Sequence, residues 1–124
     1  MIDLESNIDV SQSIAPAAKT ATTNGSSVDL LRYNSAMVVL NPGTITDGTH
    51  TPKVQDSPDD SAWTDLAAAN INGTLAALAS TTVQKVGIRS SERYVRVVVT
   101  VAGATTGGVY SAEVVRGNAE QSPL

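Results

Sequence analysis

Glu92–Gly103 reads ERYVRVVVTVAG, and its alternation decides the fold. Val95, Val97, Val99 and Val101 fall on one face of an extended chain, while Tyr94, Arg96, Val98 and Thr100 fall on the other. Alternation with period two among β-branched residues is the signature of a strand. The valine face is expected to enter the core. The opposite face is mixed, with the Arg96 stem lying over Tyr94 or Val98.

Working outward from this strand, GATTGG (Gly103–Gly108) reads as a turn and VYSAEVVRG (Val109–Gly117) as a returning strand. Tyr110, Ala112 and Val114 share one of its faces. A short Gly-rich loop between two such runs predicts an antiparallel hairpin. Upstream, TTVQKVGIRS (Thr81–Ser90) sets Val86 and Ile88 against Val83 and Lys85, and RSSE turns into the long strand. SAMVVLNPG (Ser35–Gly43) is an apolar run closed by Asn41-Pro42-Gly43, expected to be a central strand buried on both faces with a firm stop. Asp47-Gly48 predicts a hairpin, and Pro52 makes the next run an edge strand or a strand entry.

Two segments are less regular. DLAAANINGTLAALAS (Asp65–Ser80) is Ala-rich but interrupted by Asn70, Asn72 and Gly73. It reads as a strand end near Leu66, a turn at Asn72-Gly73 and a further short strand, with a short helix over Leu75–Ala79 as the other reading. In NIDVSQSIAP, Ile8, Val10 and Ile14 alternate against Asp9, Ser11 and Ser13, with Gln12 the one polar break on the apolar face. The fold expected is therefore all-β: a β-sandwich or jelly roll of about seven or eight short antiparallel strands with an extended N-terminal arm. Residues 23–117 form the sandwich, residues 1–22 an arm or first strand, and residues 118–124 a tail.

Composition bounds the chemistry. A chain of 124 residues is a one-domain length. It has no cysteine, so disulfides, thiol nucleophiles and thiolate metal sites are excluded. It has one histidine, His50, which excludes paired-histidine metal sites. The net charge of −4 lacks the basic footprint of a nucleic-acid binder. No apolar run approaches the roughly 20 residues needed to span a membrane. Asp3 and Glu5 sit where a signal peptide would carry positive charge, so synthesis and folding in a cytoplasm are expected.

Each candidate site has a plainer reading beside it. Asp56, Asp59 and Asp60 carry oxygens suited to calcium, but the EF-hand spacing is missing and Ser-Pro-Asp-Asp suits a solvated turn. Trp63, the only tryptophan, is expected in the core or at a sandwich rim. His50 reads as an exposed loop histidine, because no serine lies on a G-x-S-x-G elbow. GATTGG lacks the lysine and the strand-to-helix setting of a phosphate loop. Arg89, Arg93 and Arg96 with Tyr94 form either a patch for an acidic protein partner or a solvated strand face. Catalytic residues, metal ligands and cofactors are not expected.

The strings KVQDSPDDSAWTDL, VGIRSSERYVRVVVTVAG and VYSAEVVRG, in that order, resemble a family of small structural proteins of tailed bacteriophages. Its members show a V-x-[ED]-S/D strand, a D-D/G-S-x-W-T-D hairpin, a GI/YIG…KRYVRV strand and a last strand of AVVVLG type. The resemblance spans about Leu31 to Gly117. IRSSERYVR stands where relatives have IGNKRYVR, and NAEQSPL departs from an HPRHAP ending. The resemblance implies a head decoration, or cement, protein of β-sandwich build on the virion exterior, bound to the major capsid protein, often trimeric, without catalytic residues or cofactors. The partner-binding candidates are then Ile8, Val10 and Ile14 of the arm, Trp63 of the acidic hairpin, and Arg89 and Arg93. Two alternatives are another virion structural role, at head completion or the tail, and a carbohydrate-binding adhesion module with Trp63 and Tyr94 as sugar platforms.

Overall fold

The structure, a computed structural model, describes residues 3–119. Ten strands follow in order: β1 (Ile8–Lys19), β2 (Thr23–Asn24), β3 (Val28–Asp29), β4 (Tyr33–Ile45), β5 (Thr49–Ser57), β6 (Thr64–Asp65), β7 (Ile71–Asn72), β8 (Gln84–Ile88), β9 (Tyr94–Ala102) and β10 (Gly108–Ala119). One-turn 3-10 segments lie at Glu5–Asn7 and Ala68–Asn70. The first sheet runs β1-β10-β4-β8-β7 and the second β2-β9-β5-β6, with β3 also paired to β9. All pairings are antiparallel. The chain is an all-β sandwich.

The valine face of β9 enters the core as its alternation requires. Val95, Val97 and Val99 are fully buried, and Val101 packs against the same cluster. Burying each such side chain contributes roughly 1.5–3 kcal/mol. Tyr110, Ala112 and Val114 of β10, Val38 and Leu40 of β4, and Val86 and Ile88 of β8 supply the opposing layer. Pro52 sits where β5 is open on its far side, because β6 pairs only with Gln55 and Asp56.

Three expected local turns are instead corners between sheets. β4 and β10 belong to the first sheet, β5 and β9 to the second. Asp47-Gly48 and GATTGG therefore each carry the chain across the sandwich, and RSSE does the same between β8 and β9. Asn41-Pro42-Gly43 is likewise no stop. β4 runs through it to Ile45, with Pro42 buried and a register irregularity between Gly108 and Tyr110 opposite. The outer face of β4, at Met37 and Val39, is half-buried rather than covered.

The N-terminal segment is a first strand, not a free arm, from Ile8 onward. Its pairing with β10 is irregular between Gln12 and Ile14. That extra residue divides the apolar set. Ile8 and Val10 stay on the outer face, opposite Gly117 and Val115, while Ile14 turns inward opposite Ala112 and is 2% exposed. Ser13, at the irregularity, fastens the two sheets together. Its hydroxyl accepts from Val97 N–H at 2.9 Å and donates to the Ser26 carbonyl at 2.9 Å. Gly25 lies so close that an added Cβ would meet the Val97 carbonyl at 2.6 Å.

Between Leu66 and Gln84 the chain is mostly irregular, with Leu66 and Leu78 in the core and neither a helix nor a strand over Leu75–Ala79. The Gln84 side chain takes the place of a strand there, accepting from Ala76 N–H at 2.9 Å and donating to the Ala76 carbonyl at 3.0 Å. Asn118 and Ala119, expected in the tail, continue β10, and residues 120–124 lie outside the described residues.

Candidate functional surfaces

The outer face of the first sheet follows from its register. Val10, Val115 and Met37 stand abreast on β1, β10 and β4, and Gln12, Glu113, Val39 and Lys85 form the next row. Val10 is 53% exposed. The face is thus apolar at its centre, with Glu113 and Lys85 flanking Val39. The alternate β1 side chains, Asp9 and Ser11, turn the other way and hold Arg116. Its guanidinium donates to the Asp9 carboxylate, to Ser11 Oγ at 2.8 Å and to the Asp29 carbonyl at 2.8 Å, and it lies 4.7 Å from the Tyr33 ring centre.

On the outer face of the second sheet, Trp63 is half-buried beneath Arg96, whose Cζ is 4.4 Å from the ring centre. It does not enter the core, because Leu66 fills that place from the same segment. Arg96 donates twice to Gln55 Oε1, at 2.9 and 2.8 Å, and Gln55 donates to Asp65 at 2.8 Å. Lys53 reaches the same carboxylate at 3.2 Å. Gln55, then Lys53, hold the Asp65 carboxyl below its ordinary value. Tyr94 also has a guanidinium on its face, Arg93 at 5.1 Å. Each proposed sugar platform therefore has a cation on one side.

No family model matches the chain, and no curated protein matches it.

At one end of the sandwich, the turn from Leu30 to Ala36 and the corner from Ile88 to Arg93 enclose a groove of about 620 Å³. Arg89 and Arg93 both line it, with Arg32, which sits in the left-handed region at φ 72°. Arg93 is already engaged. It clamps Asp29 with two bonds, Nε to Oδ1 at 3.0 Å and a terminal nitrogen to Oδ2 at 2.8 Å, which keeps the Asp29 carboxyl below its usual range. Arg93 is thus a tie between β3 and the corner leading into β9 rather than a group held out to a partner. Of the expected partner-binding residues, Ile8 and Val10 share the outer face of the first sheet, Arg89 and Arg93 share the groove, Trp63 lies on the other sheet, and Ile14 is in the core.

The acidic turn is self-contained. Asp59 Oδ1 accepts from Ala62 N–H and Ser61 N–H, both at 3.0 Å, and from Ser57 Oγ at 3.1 Å, which lowers its pKa. Asp56 accepts from Ser90 Oγ at 2.8 Å. Among the described residues, no group of three or more His, Cys, Asp or Glu side chains is placed to hold a metal ion.

Asp47 and His50 are the residues that sequence patterns missed. The Asp47 carboxylate accepts the N–H groups of Gly107 at 2.6 Å and of Thr105 and Thr106 at 3.1 Å. The GATTGG loop is an anion-binding nest that the chain fills with its own carboxylate. His50 is 0% exposed rather than in solvent. These N–H groups, Gly107 first, hold the Asp47 pKa below 3.8. A depressed carboxyl adds stability above the unfolded pKa and loses it as pH falls through the folded one. Acid titration should therefore open these two corners below about pH 4. Faster amide exchange at residues 105–107, ahead of the β9 core, is the expected signal. Equal acid sensitivity of that loop in Asp47→Asn would contradict it.

Proposed function

We propose that this chain is a decoration, or cement, protein of a tailed-bacteriophage head: a virion structural protein, homotrimeric, bound to the major capsid protein lattice on the capsid exterior after synthesis in the host cytoplasm. One observation carries the reading. The three strings that bear the family resemblance coincide with framework elements: KVQDSPDDSAWTDL is β5, its acidic turn and β6; VGIRSSERYVRVVVTVAG is β8, the corner and β9; VYSAEVVRG is most of β10.

A cement protein works by mass action, not chemistry. Binding the assembled shell and not its loosened state stabilises the shell against internal DNA pressure. Many copies make individually weak contacts collectively strong. Such a protein needs a stiff scaffold, which the closed sandwich supplies, and faces that associate. The outer face of the first sheet suits a second copy of the chain, since it is apolar at Val10, Met37 and Val115 and carries both charge signs beside Val39.

The decisive experiment is band densitometry of purified particles against the major capsid protein. A fixed simple ratio across the lattice is the expected result. A handful of copies per particle would move the protein to the portal, a vertex or the tail. Absence from particles would overturn the virion reading. The carbohydrate alternative is less favoured, because Arg96 and Arg93 occupy faces of Trp63 and Tyr94.

A further inference from the structure

We infer that the groove between the Leu30–Ala36 turn and the Ile88–Arg93 corner docks an acidic, extended peptide segment, with Arg32 and Arg89 as its carboxylate-binding pair. The decoration reading supplies only the source of that segment, a capsid subunit; the chemistry of the groove stands apart from it.

The charge distribution carries the argument. Of the eleven acidic side chains among the described residues one, Glu92, lines the groove, whereas three of the eight basic ones do. Three of the five arginines are engaged inside the chain: Arg93 with Asp29, Arg96 with Gln55, and Arg116 with Asp9 and Ser11. Arg32 and Arg89 are both exposed, and neither side chain has a hydrogen bond or ion pair among the described residues. They line the same groove from its two bounding segments, the Leu30–Ala36 turn and the Ile88–Arg93 corner. A net charge of −4 makes this concentration of cations the exception on the molecule. Guanidinium groups recognise carboxylates with paired N–H donors.

The walls hold Arg32 in place. Asp29 Oδ1 accepts Leu31 N–H at 2.9 Å, and Tyr33 N–H donates to the Leu30 carbonyl at 3.0 Å. This locked turn puts Arg32 at its tip in a left-handed conformation that non-glycine residues adopt at a cost. Arg89 N–H donates to the Asn70 carbonyl at 2.8 Å, which fixes the second wall. Leu30, Ile88 and a 52% exposed Leu31 line the groove as well, together with Asn34 and Asn70. Apolar and amide-bearing residues beside two cations suit a peptide with acidic and apolar side chains better than a small inorganic anion.

The test is a titration of the isotope-labelled chain with a short capped peptide of alternating aspartate and leucine, against its lysine–leucine counterpart. Amide shifts concentrated at residues 30–36 and 88–93, a roughly tenfold loss of affinity in the R32E/R89E double variant, and weakening with added salt are expected. Both side chains are exposed, so the variant should keep its Tm within a few degrees. Equal binding of the lysine peptide, shifts centred elsewhere, or unchanged affinity in the double variant would overturn the inference. Particle copy number reports separately. A wild-type chain missing from particles removes the decoration reading while the titration still decides the groove.

Discussion

Replacing Gly107 with alanine is expected to cost about 3 kcal/mol or more of folding stability, about 10 °C in Tm for a domain of this length. Gly107 has φ +81°, and a Cβ there would meet the Lys19 carbonyl carbon at 2.7 Å. Relief is blocked on every side. Its N–H is held by Asp47 at 2.6 Å, its carbonyl accepts Thr46 N–H at 2.9 Å, and Gly108 beside it pairs with both Lys19 and Ile45. Moving this peptide would disturb the end of β1 and both sheet-crossing corners together. Gly103 supplies the control. It also has a positive φ, +68°, but an added Cβ meets nothing within 4 Å. Gly103→Ala should cost only about 1 kcal/mol of backbone strain. Equal thermal midpoints for the two variants would remove close packing as the reason for Gly107.

The contrast between these glycines shows what the sequence makes legible. Both stand in a visibly Gly-rich turn, and composition marks them alike. Faces are legible because alternation is local: Val95, Val97 and Val99, then Tyr110, Ala112 and Val114, and the pair Val86 and Ile88 all lie in the core. Which sheet a strand joins is not local. An Asp-Gly or Gly-rich turn announces a reversal, and that reversal can close a hairpin or cross a sandwich. Here the choice is fixed by contacts such as Asp47 to Gly107, between residues distant in sequence. The irregularity at Ser13 was equally hidden. Apart from Gln12 its neighbours alternate in sequence, yet Ser13 is drawn inward to satisfy Val97 N–H, and this sends Ile8 and Val10 to one face and Ile14 to the other. In the groove, Arg89 was readable from the cluster around Tyr94. Arg32 was not, since it lies in a turn with no strand pattern, and its partner wall arrives from β8 and β9.

His50→Leu is expected to cost about 2–4 kcal/mol, because it leaves buried polar groups unpaired. The ring lies at 0% exposure and Tyr110 at 1%, edge to face, with centroids 5.3 Å apart. Nε2 is 3.0 Å from the Asp47 carbonyl, which can only accept, so Nε2 carries the proton. Nδ1 then accepts from the Tyr110 hydroxyl at 3.2 Å. Tyr110→Phe alone should cost about 1–2 kcal/mol by leaving Nδ1 without a donor. In the His50→Leu background the same change should be neutral or stabilising, since the hydroxyl there has already lost its partner. Denaturant midpoints of the four proteins measure this sign reversal, and simple additivity would contradict the pairing. The phenol gives a second readout. Burial pushes the Tyr110 pKa from 10.0 up to about 12. Between those values the unfolded chain ionises this group and the folded chain does not, so its contribution is complete below pH 10 and is lost as pH rises toward 12. Alkaline unfolding should therefore become less steep in Tyr110→Phe. An unchanged slope would mean that the hydroxyl reaches solvent before the sandwich opens, which is incompatible with the closed packing of His50 and Tyr110 between the two corners.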